Sequence, residues 1–224
     1  MRTLLRNARI VLPEQSLESG SLHIEDGQIA RVIEGDSAES FNADSIIELD
    51  GATLFPGFID IHIHGAVGVD VNSATVSDLR RVSKWLAGKG VTAWLPTLVP
   101  AADEECERAI AAISELMSQQ ALEYGLQSGF ASPESPTKVG TLNTGARVLG
   151  VHYEGPFVNS EQCGALHQEH FRTFKTSADL DWLPTIEHQN AVHLTTVAPE
   201  IEGGIELIRE LRGRGWIVSI GHTR

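Results

Sequence analysis

The chain has 224 residues, which is enough for a substantial hydrophobic core and for one or two domains. Its 30 acidic residues against 17 Lys and Arg leave a formal charge of −13, which argues against nucleic acid as a partner because a phosphate backbone would be repelled. No apolar run is long enough to span a membrane, and 2 cysteines are too few for a disulfide framework, so we expect a cytoplasmic protein that does not bind membranes.

Residues 1–54 predict a small, sandwich-like β-domain. Short apolar stretches alternate there with turn-forming pairs such as Asp26-Gly27 and Asp50-Gly51. This pattern is typical of short antiparallel strands joined by tight turns. A second domain is expected from residue 55 to 224, where apolar strands alternate with helical periods. Such alternation indicates βα units around a parallel sheet, with strands expected at 57–64, 91–95, 147–154, 191–197 and 216–220.

Four helices are expected between these strands. Thr75 and Asp78 have the spacing of a capping box for the first helix. The second begins at the acidic residues 103–105, whose charges suit a helix N-terminus, and runs to about residue 117. The third is expected at 179–187. The fourth presents one apolar face, formed by Ile205, Ile208 and Leu211. Residues 128–144, rich in Ser, Pro, Gly and Thr, predict an excursion over the surface.

The strongest chemical signal is a pair of histidines on the first strand of the second domain. His62 and His64 are two residues apart, so the pleat of a strand places both imidazoles on one face. Imidazole is a preferred ligand of zinc and similar metals. A hydrogen-bonded pair of structural histidines is the alternative interpretation of this motif alone.

Other candidate ligands follow from the positions at which strands end. Glu154 and His222 lie at the C-terminal ends of predicted strands, where parallel barrels place reactive groups. Together with His62 and His64 they predict a metal site. Asp60 is a candidate partner for one of these imidazoles, outside the ligand set itself. A structural ion pair would also explain a buried Glu154. The donor set favours zinc, suits iron, manganese and cobalt, and leaves open whether one or two ions bind.

Four segments together make a family resemblance specific. They are 56–65 (PGFIDIHIHG), 149–159 (LGVHYEGPFVN), 196–200 (TVAPE) and 218–223 (VSIGHT). In this order they resemble the N-acetylglucosamine-6-phosphate deacetylases of the amidohydrolase superfamily. The resemblance implies a TIM-like (β/α)₈ barrel beside a small β-domain, and hydrolysis of N-acetylglucosamine 6-phosphate to glucosamine 6-phosphate and acetate. The partner is then a small phosphorylated amino sugar.

The same resemblance assigns individual residues. It implies that Glu154 and His222 bind the main metal and that His62 and His64 match a pair used for an additional one. It places Gly164, Ala165 and His167 in a substrate-binding loop. The family's catalytic aspartate falls beyond Arg224, as do further barrel strands, so the resemblance implies a barrel truncated after about five strands, no catalytic residue within these 224, and doubtful activity of this chain alone. A homodimer is implied at full length.

Two other functions stay open at this point. The His-x-His strand is shared by many amidohydrolases, so an enzyme acting on N-acyl amino acids or cyclic amides is one alternative. An inactive structural fragment without the aspartate is the other.

Overall fold

The computed structural model describes residues 1–35, 42–127 and 145–224, so the excursion expected at 128–144 lies outside the described residues. Contacts between Cα atoms separate two compact units. The smaller contains Met1–Gly57, and the larger contains Phe58–Glu123 together with the C-terminal part of the chain. The boundary predicted between residues 54 and 55 stays a prediction.

The smaller unit is a five-stranded sheet whose central path runs β3-β2-β1-β4. Its strands are β1 (Arg2–Val11), β2 (Ser16–Glu25), β3 (Gln28–Glu34), β4 (Ser45–Glu48) and β5 (Thr53–Leu54). The β2–β3 turn contains Asp26 at φ 49° and Gly27 at φ 79°, the left-handed pair that a tight hairpin requires. The expectation of antiparallel strands throughout is wrong for β4 and β5, which both run parallel to β1. Local turn residues set only the direction between consecutive strands, whereas β1 meets β4 after the chain has passed through two others.

The larger unit contains a parallel sheet, which confirms an α/β architecture. Its strands are β6 (Phe58–Ile63), β7 (Val91–Leu98), β8 (Arg147–Val148), β9 (Gly150–Glu154), β10 (Val192–Val197) and β11 (Ile217–Ile220). They lie in the order β11-β10-β9-β7-β6, with β8 also paired to β7. Along this order the strands follow one another as they do in the sequence, with the short β8 directly preceding β9, and the carboxyl ends of β6, β7, β9, β10 and β11 meet at one edge.

One strand continues past its predicted end. β7 was expected to end at residue 95, before Pro96, but it extends to Leu98. Proline is tolerated here because the ladder to β6 is irregular at this point. The backbone N–H of Ile63 instead donates to Thr97 Oγ1 at 2.9 Å. A side chain thus replaces a ladder partner next to the histidine pair.

Within the described residues, three α-helices connect the strands: α1 (Val76–Ala87), α2 (Asp103–Gln127) and α3 (Gly204–Gly213). The Thr75–Asp78 capping box is confirmed, since both of its reciprocal hydrogen bonds are present. The helix α2 extends ten residues beyond its expected end at residue 117. The face expected for α3 is wrong in part, because Leu207 is fully buried whereas Ile205 is 47% exposed. None of these described helices is both long and apolar enough to cross a membrane.

The helix expected at 179–187 does not form. A single 3₁₀ turn, Ser177–Leu180, takes its place. Its start is capped by Asp179, whose carboxylate accepts the backbone N–H of Thr176 at 2.8 Å. Pro184 cannot continue a helix, and its carbonyl is taken by the Tyr153 hydroxyl at 2.7 Å. The proline therefore prevents a continuous helix in this segment, and a tertiary hydrogen bond takes the place of a helical one.

The core of the larger unit lies between the parallel sheet and its helices. Trp94 is fully buried, and its indole N–H donates to Ser83 Oγ at 3.0 Å, which satisfies both groups. The other large, fully buried side chains of this core are Leu79, Leu98, Ile113, Leu116, Phe157, Leu207 and Leu211. This packing supports the sheet whose carboxyl edge carries the histidines.

Gly150 is expected to be the position in this sheet least tolerant of a side chain. Its φ is 153°, and a Cβ placed there would lie 1.9 Å from the Val192 carbonyl oxygen on β10. Gly150→Ala should lower the free energy of unfolding by about 3 kcal/mol through strain and displaced backbone. Urea unfolding would measure this loss. Gly213→Ala is the control, since an added Cβ there meets no atom within 4 Å; equal stability of both variants would contradict the expectation.

Candidate metal centre

Four side chains predicted as metal ligands meet at the carboxyl edge of the parallel sheet. His62 lies near the end of β6 and His64 directly after it, Glu154 ends β9, and His222 follows β11. Because the strands are parallel and lie in sequential order, their ends deliver these residues to one place. The structure thus brings together four residues that span 161 positions of sequence from His62 to His222.

The Glu154 carboxylate is the centre of this cluster. Its Oε1 lies 2.8 Å from His222 Nε2 and 3.6 Å from His62 Nε2, and its Oε2 lies 3.0 Å from His64 Nε2. The two Nε2 atoms of His62 and His64 are 3.2 Å apart. One ligand atom from each of His62, His64 and Glu154 lies within 4.8 Å of the other two. Such converging nitrogen and oxygen atoms are a donor set that suits a divalent metal.

The hydrogen bonds behind two of these histidines fix which ring nitrogen faces the cluster. His64 Nδ1 donates to the Thr97 carbonyl at 3.2 Å, and His222 Nδ1 donates to the Gln162 carbonyl at 2.8 Å. A carbonyl can only accept, so in each neutral ring the lone pair is on Nε2 and faces a Glu154 oxygen. Two acceptors at this distance repel unless a proton or a cation lies between them. The residues therefore fit a bound cation, with backbone carbonyls holding the rings as they commonly do behind metal ligands.

The charges in the cluster are mutually dependent. Burial alone would raise the pKa of Glu154, whose side chain is only 13% exposed, but the hydrogen bond that His222 donates when its Nε2 is protonated, and positive charge on His62 and His64, bring that pKa below its ordinary value. Burial would lower the pKa of His222, yet its bonds to Glu154 and to the Gln162 carbonyl raise it. Glu154 is thus an anion at neutral pH, which adds charge attraction to the donor set.

His152 is a residue that the sequence reasoning missed. Its ring lies edge-on to His62, with 4.9 Å between centroids. Its Nδ1 donates to the Ile61 carbonyl at 2.9 Å, and its Nε2 accepts from the Thr196 hydroxyl at 2.8 Å. Burial lowers the pKa of His152 to about 4, so the ring is neutral. A signal was available, since His152 precedes Glu154 by two residues on one strand, the same spacing that identified the histidine pair.

The remaining predicted residues lie in different surroundings. Asp60 Oδ1 accepts the backbone N–H of His62 at 3.1 Å, so its observed contact is with the main chain rather than with an imidazole. Gly164 and Ala165 are exposed. The side chain of His167 is 66% exposed, and its Nδ1 lies 3.6 Å from Glu169. Their substrate-binding role stays a prediction. The loop that carries them does reach the cluster, through the bond between the Gln162 carbonyl and His222.

Comparisons with known proteins point to one enzyme group. No protein-family model matches the sequence. The chain is 35% identical over 184 residues to the human N-acetylglucosamine-6-phosphate deacetylase, covering 81% of this chain and 39% of that protein. It is 31% identical over 223 residues to the N-acetylgalactosamine-6-phosphate deacetylase of Escherichia coli O157:H7, covering 100% and 51%. The chain therefore spans about half, or less, of the length of these relatives.

A solved structure supports the same relationship. The N-acetyl-D-glucosamine-6-phosphate deacetylase of Mycobacterium smegmatis, solved as a variant in complex with N-acetyl-D-glucosamine-6-phosphate, superposes with a TM-score of 0.70 at 26% identity, covering 99% of this chain and 50% of that one. The resemblance carried by the strand-end motifs is confirmed by both sequence and fold. This chain is a homologue of the N-acetylglucosamine-6-phosphate deacetylases over about half of their length.

Proposed function

We propose that this chain supplies the metal-binding part of a deacetylase that hydrolyses the N-acetyl group of N-acetylglucosamine 6-phosphate, giving glucosamine 6-phosphate and acetate. The observation that carries the proposal is the Glu154 carboxylate with three imidazole nitrogens within 3.6 Å of its oxygens. The names of the homologues supply the substrate class. Completion of the sheet to an eight-stranded barrel, and a homodimer, belong to the same proposal.

His62, His64, Glu154 and His222 would hold the metal. Zinc suits their nitrogen and oxygen donors best, and iron, manganese and cobalt are also compatible. When bound, a divalent cation supplies Lewis acidity, which lowers the pKa of water toward neutrality and polarises an amide carbonyl. The protein's own contribution is orientation: backbone carbonyls of Thr97 and Gln162 hold two imidazoles with Nε2 toward the site. The anionic Glu154 supplies the negative charge.

The neutral His152 contributes differently. It has no charge at functional pH, and both ring nitrogens are occupied by Ile61 and Thr196. It therefore serves as a rigid support against which the His62 ring rests. Such supporting contacts limit the motion of a ligand and reduce the entropy lost when a cation binds.

A second substrate has support from one observation. The Escherichia coli relative that matches the whole chain is named for N-acetylgalactosamine 6-phosphate, which differs from the glucose isomer only in the configuration of one hydroxyl. Both sugars present the same acetamide and phosphate. Discrimination between them would depend on contacts to that hydroxyl, while the metal site would be common to both.

The natural gene product that carries this sequence should release acetate from N-acetylglucosamine 6-phosphate faster than from the other substrates. Purified protein would be assayed with the glucose and galactose isomers, with unphosphorylated N-acetylglucosamine and with an N-acetyl amino acid. We expect kcat/KM for the phosphorylated glucose isomer to exceed that for the N-acetyl amino acid by at least about 100-fold, since lost polar contacts are costly. A preference for the galactose isomer would transfer the assignment to that sugar. Faster hydrolysis of the N-acetyl amino acid would refute the proposed substrate class.

A further inference from the structure

His222 depends on contacts outside the metal cluster for its orientation. It is the residue after β11 and Gly221, and its φ of 50° is a left-handed conformation that non-glycine residues seldom adopt. Its carbonyl accepts the backbone N–H of Asn159 at 3.1 Å, and its Nδ1 donates to the Gln162 carbonyl at 2.8 Å. The His222 ring is therefore held by the short turn that begins at Asn159, and anything that holds this turn in place also acts on His222.

Asn159 connects that turn to a second segment. Its side-chain oxygen accepts the backbone N–H of Glu161 at 2.9 Å and so caps the turn Ser160–Gln162. Its side-chain nitrogen donates to Glu200 Oε1 at 2.8 Å. Glu200 lies three residues after β10, in a loop fixed by the bond from the Ala198 N–H to the Phe157 carbonyl at 2.9 Å. The loop that carries Glu200 is thus tied to the segment that leads into the turn, at Phe157, two residues before Asn159.

Glu200 also holds the residues on the other side of His222. The Thr223 hydroxyl donates to its Oε2 at 2.5 Å, and the backbone N–H of Arg224 donates to its Oε1 at 3.0 Å. The Arg224 guanidinium pairs in turn with Glu161. The hydrogen bonds from Thr223 and Asn159 lower the pKa of Glu200 to about 2, so the carboxylate is ionised and keeps all its acceptor sites at neutral pH. The Glu200 carboxylate therefore joins the turn at 160–162, which holds the His222 ring, to Thr223 and Arg224, which follow His222 in the sequence.

We propose that Glu200 is a positioning residue for the metal site: by holding Asn159, Thr223 and the Arg224 backbone together, it sets the left-handed backbone of His222 and aims its imidazole at Glu154. This inference rests on the proposed function, since it takes His222 as a metal ligand. It assigns a role to the carboxylate of the Ala-Pro-Glu segment, which lies outside the ligand set itself. The hydrogen bonds of Glu200 go to Asn159, Thr223 and Arg224, so in this role it acts through His222.

Zinc affinity of the 224-residue chain tests this role. Dissociation constants would be measured by competition with a chromophoric chelator for the parent, Glu200→Ala, Glu200→Gln and Thr223→Val. We expect Glu200→Ala to weaken zinc binding by about 10- to 100-fold, as loss of a supporting partner typically does. Thr223→Val should weaken it less, because two bonds to Glu200 remain. Glu200→Gln keeps an oxygen for the Arg224 N–H and should retain most of the affinity. The matched control is Glu202→Ala, which removes an exposed carboxylate two residues away and should leave the affinity unchanged.

A spectroscopic measurement separates positioning from general stability. With Co²⁺ as the probe, loss of a nitrogen ligand changes the visible absorption bands of the ion. The spectrum of Glu200→Ala should approach that of His222→Ala, whereas Glu202→Ala should match the parent. If Glu200→Ala fails to fold, as judged by thermal unfolding, Thr223→Val carries the test with the same two measurements. Parent-like zinc affinity and cobalt spectra in folded Glu200→Ala, or in Thr223→Val where Glu200→Ala does not fold, would overturn the proposal.

The experiment also distinguishes failure of the proposed function from failure of this inference. If the parent binds zinc and Glu154→Gln does not, the metal site is supported. The zinc affinities and cobalt spectra of the Glu200 variants then test only the role of Glu200. If the parent binds no zinc, the metal site is refuted, and amide hydrogen exchange over residues 159–163 and 221–224 tests the positioning directly. Faster exchange there in Glu200→Ala than in Glu202→Ala would support the role of Glu200 in holding His222. Equal exchange would refute it.

Discussion

Replacing Glu154 by glutamine is expected to reduce zinc affinity at least about 100-fold, the upper end of what loss of a mere supporting partner costs. The carboxylate contributes the negative charge of the cluster and lies within 3.6 Å of all three imidazole Nε2 atoms. Glutamine has nearly the same size but is neutral, and its amide NH₂ would point a donor at the histidines. Elemental analysis of untagged protein, together with chelator competition, would measure the loss.

The control for this variant is Glu187→Gln, the same chemical change at an exposed position. It should leave the metal content at the parent level. We expect both variants to keep the fold, since glutamine has nearly the same size as glutamate. Circular dichroism of both variants would check this. Equal metal content in Glu154→Gln and Glu187→Gln would show that the four converging side chains form a structural ion cluster and not a metal centre.

The 224-residue chain on its own, loaded with zinc, is expected to release acetate from N-acetylglucosamine 6-phosphate about 10²- to 10⁴-fold more slowly than a full-length homologue. This is the usual contribution of general acid–base assistance, and the family resemblance places the aspartate that provides it beyond Arg224. The sheet adds a second reason. β6 and β11 are its edge strands, and they expose Ile59, Ile61, Ile217 and Ile220 by 53–59%. Open edges and apolar faces favour self-association over an ordered site.

Two measurements check this expectation. Acetate release would be compared with that of the Bacillus subtilis relative, of which this chain covers 50% at 30% identity. Size-exclusion chromatography would report the association expected from the two open sheet edges. Turnover within about tenfold of the full-length enzyme would overturn the expectation, and would mean that a residue already present transfers the proton. Asp60, close to the histidine pair through the His62 N–H, would then be the first residue to test.

The features determined by the sequence alone are those with a short, regular period. The two-residue spacing of His62 and His64 placed both rings on one face of β6, and the structure confirms their approach to 3.2 Å. The Thr75–Asp78 box marked the start of α1 because capping involves residues only three apart. The same logic applied to His152 and Glu154 would have added the buried histidine to the site.

Tertiary structure decided whatever depends on residues far apart in the chain. Whether β4 pairs with β1 in parallel depends on how the whole sheet is connected. The helix expected at 179–187 is absent because Pro184 cannot continue a helix and its carbonyl accepts a hydrogen bond from the Tyr153 hydroxyl. The site shows this most clearly, since the ring of His222 is oriented by a carbonyl 60 residues away and its backbone by Glu200. Periodicity determines which face a side chain occupies, because that is a property of one element. Which elements meet depends on the summed packing and hydrogen bonding of the folded chain.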